Sequence, residues 1–252
     1  MNDVLLTFEH NIESVESLLN FDRKVLDMAI DSIQELNEYL VDYQKISADQ
    51  YNGKRTLDTL KAIRNNDSLK SKYAAINNQA IVLLVSYFGS AVADIFRRAS
   101  KIAVDTHNDE RVLGEELKFK FEELLNLKSS LADSIGELLI TKNNISFQDM
   151  KSIQREFKKY FGIKIDRDIN VNNIILGQAC RHSIAHEAAK VNARVINQIR
   201  GAKPRNLKEN LAEGQVIEFN QTEIKIVSDS MLNYVRTLND QVSEYGHPIT
   251  NT

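Results

Sequence analysis

AINNQAIVLLVSYFGSAVADIF, residues Ala75–Phe96, is the most apolar stretch of the chain, and its reading decides the fold class. Ile81, Leu84, Phe88, Val92, Ile95, Ala99 and Ile102 recur at three- and four-residue steps, which predicts one long helix from Ser71 to about Val104. Ser86, Ser90, Asp94, Arg97 and Lys101 fall on its other side, within about 80° of arc at 100° per residue. An apolar run of roughly 17 residues broken by Ser86, Gly89, Ser90 and Asp94 is too short and too polar for a ~20-residue membrane span. The segment reads as a buried core helix.

Working outward, Ile12, Val15, Leu19, Asp22, Leu26, Ala29, Ile33, Leu36, Leu40 and Tyr43 repeat the same spacing with only Asp22 polar, so an amphipathic helix precedes the core helix. A second helix is expected over Thr56–Ile63, ended by the NNDS stretch at Asn65–Ser68. Further helices are expected at about Glu115–Leu139, Phe147–Tyr160, Ile174–Ile199 and Thr222–Val242. GQVIEFN, Gly214–Asn220, alternates enough to be a short extended arm. The expected architecture is all-α, with a helical extension over residues 1–69 and a helical domain over 70–252.

Composition agrees. Nine Gly and two Pro make up about 4% of the 252 residues, against a usual ~12%, which disfavours turn-rich β folds and disordered linkers. Aromatic content is low and Trp is absent, arguing against carbohydrate-stacking clefts. Cys180 is the single cysteine, so no intrachain disulfide can form and a reducing compartment is expected. The first residues lack a basic segment followed by an apolar run, so a cytoplasmic protein without membrane attachment is expected.

Charge is uneven. Residues 1–50 hold eleven acidic and three basic residues, whereas residues 181–208 hold seven basic residues and only Glu187 as an acid. Clustered cations of this kind suit a local polyanion site, since phosphate contacts are mainly electrostatic.

Within that segment Arg181-His182-Ser183-Ile184-Ala185-His186 places an arginine and two of the five histidines in six residues of a predicted helix. Measured from Ile184 on the apolar stripe Ile184, Ala188, Val191, Val195, Ile199, both histidines lie at about 160° to 200°, away from the core. Ala189 and Ala193 fall on the histidine side, leaving room for another helix or a second copy of this one. An imidazole exchanges protons near neutrality, and a guanidinium matches phosphate oxygens. Together they suit metal-free RNA cleavage: a 2′-hydroxyl is deprotonated and attacks the adjacent phosphorus, and the guanidinium stabilises the charge that gathers there. DNA lacks that hydroxyl. Two copies meeting across a twofold axis would double an incomplete acid–base set.

ILGQACRHSIAHE resembles the signature of the HEPN superfamily, in which an Arg is followed four to six residues later by His. Arg181 matches the family Arg, His182 the polar residue after it and His186 the family His. AINNQAIVLLVSYFGSAVADIF is similar to the family's first core helix, and the EGQVIEF arm with the final helix resembles the RiboL-PSP-HEPN branch. The resemblance covers roughly residues 70 to 242, although its specific part is six residues long. It implies a helical bundle, a homodimer joining two motifs in one cleft, and metal-independent endoribonuclease activity in a toxin–antitoxin or anti-phage system. Catalytic roles are then expected for Arg181, His186 and His182, and RNA contacts for Lys190, Arg194 and Arg200, with no cofactor or metal. RNA, tRNA included, and an antitoxin or other defence protein are the expected partners. Many relatives carry an acidic residue where this chain has Gly89, so the supporting carboxylate is either missing or supplied by Asp94, which lies on the polar stripe. The Tyr that accompanies adenylylation control two residues after the motif His is Ala188 here.

Two rivals stand beside this reading. His182 and His186 share a helical face as zinc ligands do, but no third ligand is evident nearby. A non-catalytic HEPN-like subunit that binds RNA, nucleotide or a partner protein would need the same cations. His10, His107 and His247 read as surface residues, and Ser183 lacks the context of a nucleophile.

Overall fold

A computed structural model describes residues 3–43, 45, 53–65, 70–106, 110–120, 122 and 131–245. Every regular element among them is a helix, so the fold is all-α. His107 and His247 lie outside the described residues.

The core helix is α3, Lys70–Thr106. Ala80, Ile81, Leu84, Phe88, Val92, Ile95, Phe96 and Ala99 are buried along it, because α1 (Asp3–Asp42), α5 (Leu131–Lys142), α7 (Ile169–His186) and α9 (Gln221–Tyr245) pack around its faces. By length and composition alone α3 could cross a membrane, contrary to the sequence expectation, since the helix continues well past the apolar run. In the bundle its apolar stripe forms the centre of the core.

Phe8, Ile12, Val15 and Leu19 of α1 belong to the same core cluster, so the first turns of the N-terminal helix are built into the bundle. Farther along, α1 pairs with α2 (Gly53–Asn65), where Arg64 Nε donates to Asp27 Oδ1 at 2.7 Å. Here Leu18, Phe21, Val25, Met28 and Tyr39 are exposed, as are Leu36 and Tyr43, which the sequence pattern placed on the inner stripe.

Helix α4 (Glu110–Leu113) is short. The helix expected from Glu115 does not begin there: residues 115–120 are non-helical, Glu122 is helical, and α5 runs over Leu131–Lys142. Glu115 instead reaches Lys159 Nζ (2.8 Å), Asn143 Nδ2 (3.0 Å) and the Tyr160 hydroxyl (3.2 Å), ties to distant elements that a helix at this point would have to give up. Helix α6, Met150–Phe161, is capped by Asp149, whose Oδ1 accepts from Ser152 N, and stops at Gly162 in the left-handed region. Phe147, Phe157, Tyr160 and Phe161 surround Phe96 of α3 with ring centroids 5.0 to 5.6 Å away, fixing the α6 end of the bundle against the core.

Candidate active site

Asp168 caps α7 by accepting from Val171 N. The helix ends at His186, where the sequence pattern predicted continuation to Ile199. Glu187 leaves the helical region, and Ala188 and Ala189 take φ of 51° and 58°, a left-handed turn that L-residues adopt at a cost. Two features hold this turn. Ser183 O accepts from both Glu187 N (2.9 Å) and Ala189 N (3.0 Å), and Asn192 starts a new helix, α8 (Ala193–Ile199), by accepting from Val195 N. Val195 and Ile199 are buried as expected, on a separate helix, and the face on which Ala189 and Ala193 would join the histidines does not exist.

The arm at 214–220 leaves a turn at Gly214, forms one antiparallel bridge between Val216 and Lys190, and braces the turn after His186. Val191 N donates to Gln215 O (2.8 Å), Ile217 N to Ala189 O (2.7 Å) and Gly214 N to Val191 O (2.7 Å). Asn78 of α3 clamps the arm with both ends of its carboxamide: Nδ2 donates to Ile217 O (2.7 Å) and Oδ1 accepts from Phe219 N (3.1 Å). The core helix thus sets, through the arm, where the chain goes immediately after His186.

Arg181 and His182 border a bowl of about 630 Å³ between α6, α7 and α8. Lys151, Arg167 and Arg194 border it as well, with Ile175 and Ala179 among the apolar lining. Arg181 also borders a second hollow of about 340 Å³ with Ser86, Gly89 and Ser90 of α3, so this residue is shared by the linings of two concavities. Its Nη1 donates to Gln148 Oε1 at a long 3.4 Å, and its buried Nε has no partner. Gln178 Oε1 accepts from Met150 N (2.9 Å), leaving the buried Nε2 without a partner.

Arg194 Nη1 stands 3.3 Å from His182 Nε2. Glu187 Oε1 stands 3.8 Å from the same nitrogen, and its other oxygen accepts from Asn192 Nδ2 and from Ser183 Oγ. The His182 and His186 rings are 5.1 Å apart, with His186 exposed on the rim at the helix end. The structure therefore brings Arg181, His182 and Arg194 into the bowl, with His186 beside it.

The remaining predicted residues are elsewhere. Lys190 lies in the turn after His186, its side chain exposed and outside both hollows. Arg200 donates to Asn197 Oδ1 and borders a different groove with Lys203 and Glu209. Asp94 pairs with Arg97 (2.6 Å), which also holds Glu137 (2.8 Å), and lines neither hollow. Two cations of the basic segment serve the fold. The buried Arg205 donates to the carbonyls of Ala202, Leu207, Lys208 and Glu209, and Lys208 to Glu218 O and Glu223. Burial pushes the Cys180 thiol up to about 12, unsuited to nucleophilic or metal-ligand work. Ser183 is buried with its hydroxyl on Glu187.

Lys151, Arg167 and Gln178 were not legible as site residues. Their only sequence signal was the pair of helix starts at Asp149 and Asp168, which place Lys151 and Arg167 near α7.

No family model matches the chain, and neither a curated protein nor a solved structure is significantly similar to it.

Proposed function

We propose that this chain is a metal-independent endoribonuclease of HEPN type. The observation that carries the reading is Arg181: a guanidinium with an unpaired Nε that borders two concavities and shares the larger with His182, whose ring is 5.1 Å from that of His186. RNA crosses the bowl mouth with its scissile phosphate at Arg181. One imidazole takes the 2′-hydroxyl proton, the oxygen attacks phosphorus, and another imidazole protonates the departing 5′-oxygen, giving a 2′,3′-cyclic phosphate and a 5′-hydroxyl. Arg181 and Arg194 offset the charge that builds on phosphorus. The working unit in this reading is a homodimer, which the exposure of His186 at the helix end supports. Asp94, held by Arg97, has no part in this scheme. A role in toxin–antitoxin or anti-phage defence, with an antitoxin or another defence protein as partner, follows from the family resemblance, and the single cysteine supports a reducing, cytoplasmic setting.

The test is cleavage of RNA by the purified protein in excess EDTA, with the product ends identified. His186→Ala is expected to slow cleavage by roughly 10²–10⁴-fold, with folding and most RNA binding intact. Wild-type rates in both His186→Ala and Arg181→Ala would end the assignment. The exposure of His186 outside the bowl favours one second reading, an RNA- or nucleotide-binding subunit without catalysis; binding with no cleavage at any protein concentration would select it.

A further inference from the structure

We infer that the bowl is a nucleotide subsite, which takes the nucleotide adjoining the scissile phosphate and reads its base. This deepens the cleavage reading and rests on it only for the word "adjoining".

The argument starts from which cations are neutralised. Arg97, Lys101, Lys159, Lys208 and Arg236 each hold a carboxylate. Lys151, Arg167, Arg181 and Arg194, the four around the bowl, hold none among the described residues. Arg167 Nε is spent on Asn172 Oδ1, leaving its terminal nitrogens for another acceptor. The one acid on the lining, Asp149, turns Oδ1 to the α6 N-terminus. Like charges gathered without counter-charge repel one another, and a bound anion relieves that.

Size and lining then narrow the anion. A volume of about 630 Å³ lies within the roughly 300–1,000 Å³ typical of small-molecule pockets and far exceeds one phosphate. Ile175 and Ala179 give an apolar surface for a flat base. Gln178 lines the bowl and is oriented by Met150 N; its Nε2 is covered and without a partner, a donor that a base edge meets when it displaces the groups over that atom. Base edges supply such acceptors in positions that differ between bases, so this amide discriminates where the cations do not.

The experiment uses full-length His186→Ala protein, titrated calorimetrically with AMP, CMP, GMP, UMP and inorganic phosphate. At least one mononucleotide should bind tenfold or more tighter than phosphate. Lys151→Gln with Arg167→Gln should weaken it at least tenfold in protein that calorimetry shows still folded, its melting temperature lowered by a few degrees through loss of the Arg167–Asn172 hydrogen bond. Gln178→Glu, which keeps the acceptor for Met150 N and removes the donor, should change the ranking of the four nucleotides. With single-stranded RNA the double variant should flatten the log–log salt dependence of binding by about 1.4. In wild-type protein, removing the base on one side of the scissile phosphate should raise KM tenfold or more. No mononucleotide binding up to 10 mM, phosphate binding as tightly as every nucleotide, or full affinity in the double variant would each overturn the proposal. The failures separate: RNA cut with normal KM by the double variant sinks the subsite and spares the nuclease, whereas nucleotide binding in a protein that cuts no RNA does the reverse.

Discussion

Arg181 and Arg205 belong to the same basic stretch of sequence, yet they stand in opposite situations. Arg205 is 7% exposed and gives its N–H groups to four backbone carbonyls, knitting the loop between α8 and the arm. Arg181 borders two hollows, holds one long hydrogen bond and keeps a buried N–H unpaired. Charge counting weighs the two alike. What separates them is whether the chain folds its own oxygens around the guanidinium or leaves it facing space, and that is a property of the loop geometry.

The contrast predicts a double dissociation, the largest effect expected here. Arg181→Ala should slow RNA cleavage by about 10²–10³-fold, the usual loss for one transition-state hydrogen-bond donor, while melting as wild type does. Arg205→Ala strands several buried carbonyls, a loss of roughly 2–4 kcal/mol. At about 2–4 °C per kcal/mol for a chain of this size, its melting temperature should fall by roughly 5–15 °C. Calorimetry and a cleavage assay on the two variants check this; a stable Arg205→Ala, or an unfolding Arg181→Ala, would break the comparison.

Next in size is the clamp that carries the core's rigidity to the site. Asn78→Ala loses both hydrogen bonds to the arm and leaves Ile217 O and Phe219 N buried without their partner. A destabilisation of about 2–3 kcal/mol is expected by urea unfolding. Cleavage should fall more than the folded fraction does, because the arm braces the turn after His186. Loss of activity in strict proportion to unfolding would show that the brace does not matter to the site.

These elements were not equally legible beforehand. The core helix was, since a stripe from Ile81 to Ile102 admits one period and one buried face. The arm was legible from its alternation. The break after His186 was missed because Ala188 and Val191 continue the apolar spacing, and spacing outweighed the capping residue Asn192 that ends the illusion. The site was legible where it is contiguous, at Arg181 and His182, and illegible where folding assembles it. Lys151 comes from the first turn of α6 and Arg167 from the loop before α7, and no linear spacing announces that they share a bowl.

The break itself yields a smaller prediction of the opposite sign. Ala189 holds φ 58°, and relieving a left-handed alanine returns about 1–2 kcal/mol, partly offset by about 0.4–1 kcal/mol from the freer unfolded glycine. Ala189→Gly should therefore stabilise the protein by roughly 0.5–1 kcal/mol. Unfolding at equilibrium measures it, and destabilisation would mean that the alanine methyl matters more than the backbone.

The smallest effect sharpens the comparison within one helix, because α6 carries an unpaired cation in its first turn, Lys151, and a paired one in its last, Lys159. The hydrogen bond from Lys159, with the Tyr160 hydroxyl and Asn143 adding to it, holds the Glu115 carboxyl below its ordinary range against the opposing pull of partial burial. A carboxyl depressed in the folded state adds stability above its unfolded value, and the gain fades as pH falls through the folded value. Lys159 is half exposed, so solvent screening keeps the gain under about 1 kcal/mol. Glu115→Gln should accordingly lower the urea midpoint slightly at pH 7 and converge on wild type toward pH 2.5. Lys151→Gln has no internal carboxylate to lose and should leave the midpoint unmoved at both. A Glu115→Gln deficit of equal size at the two pH values would mean that this cation is held by packing, and that pairing does not distinguish the two ends of α6.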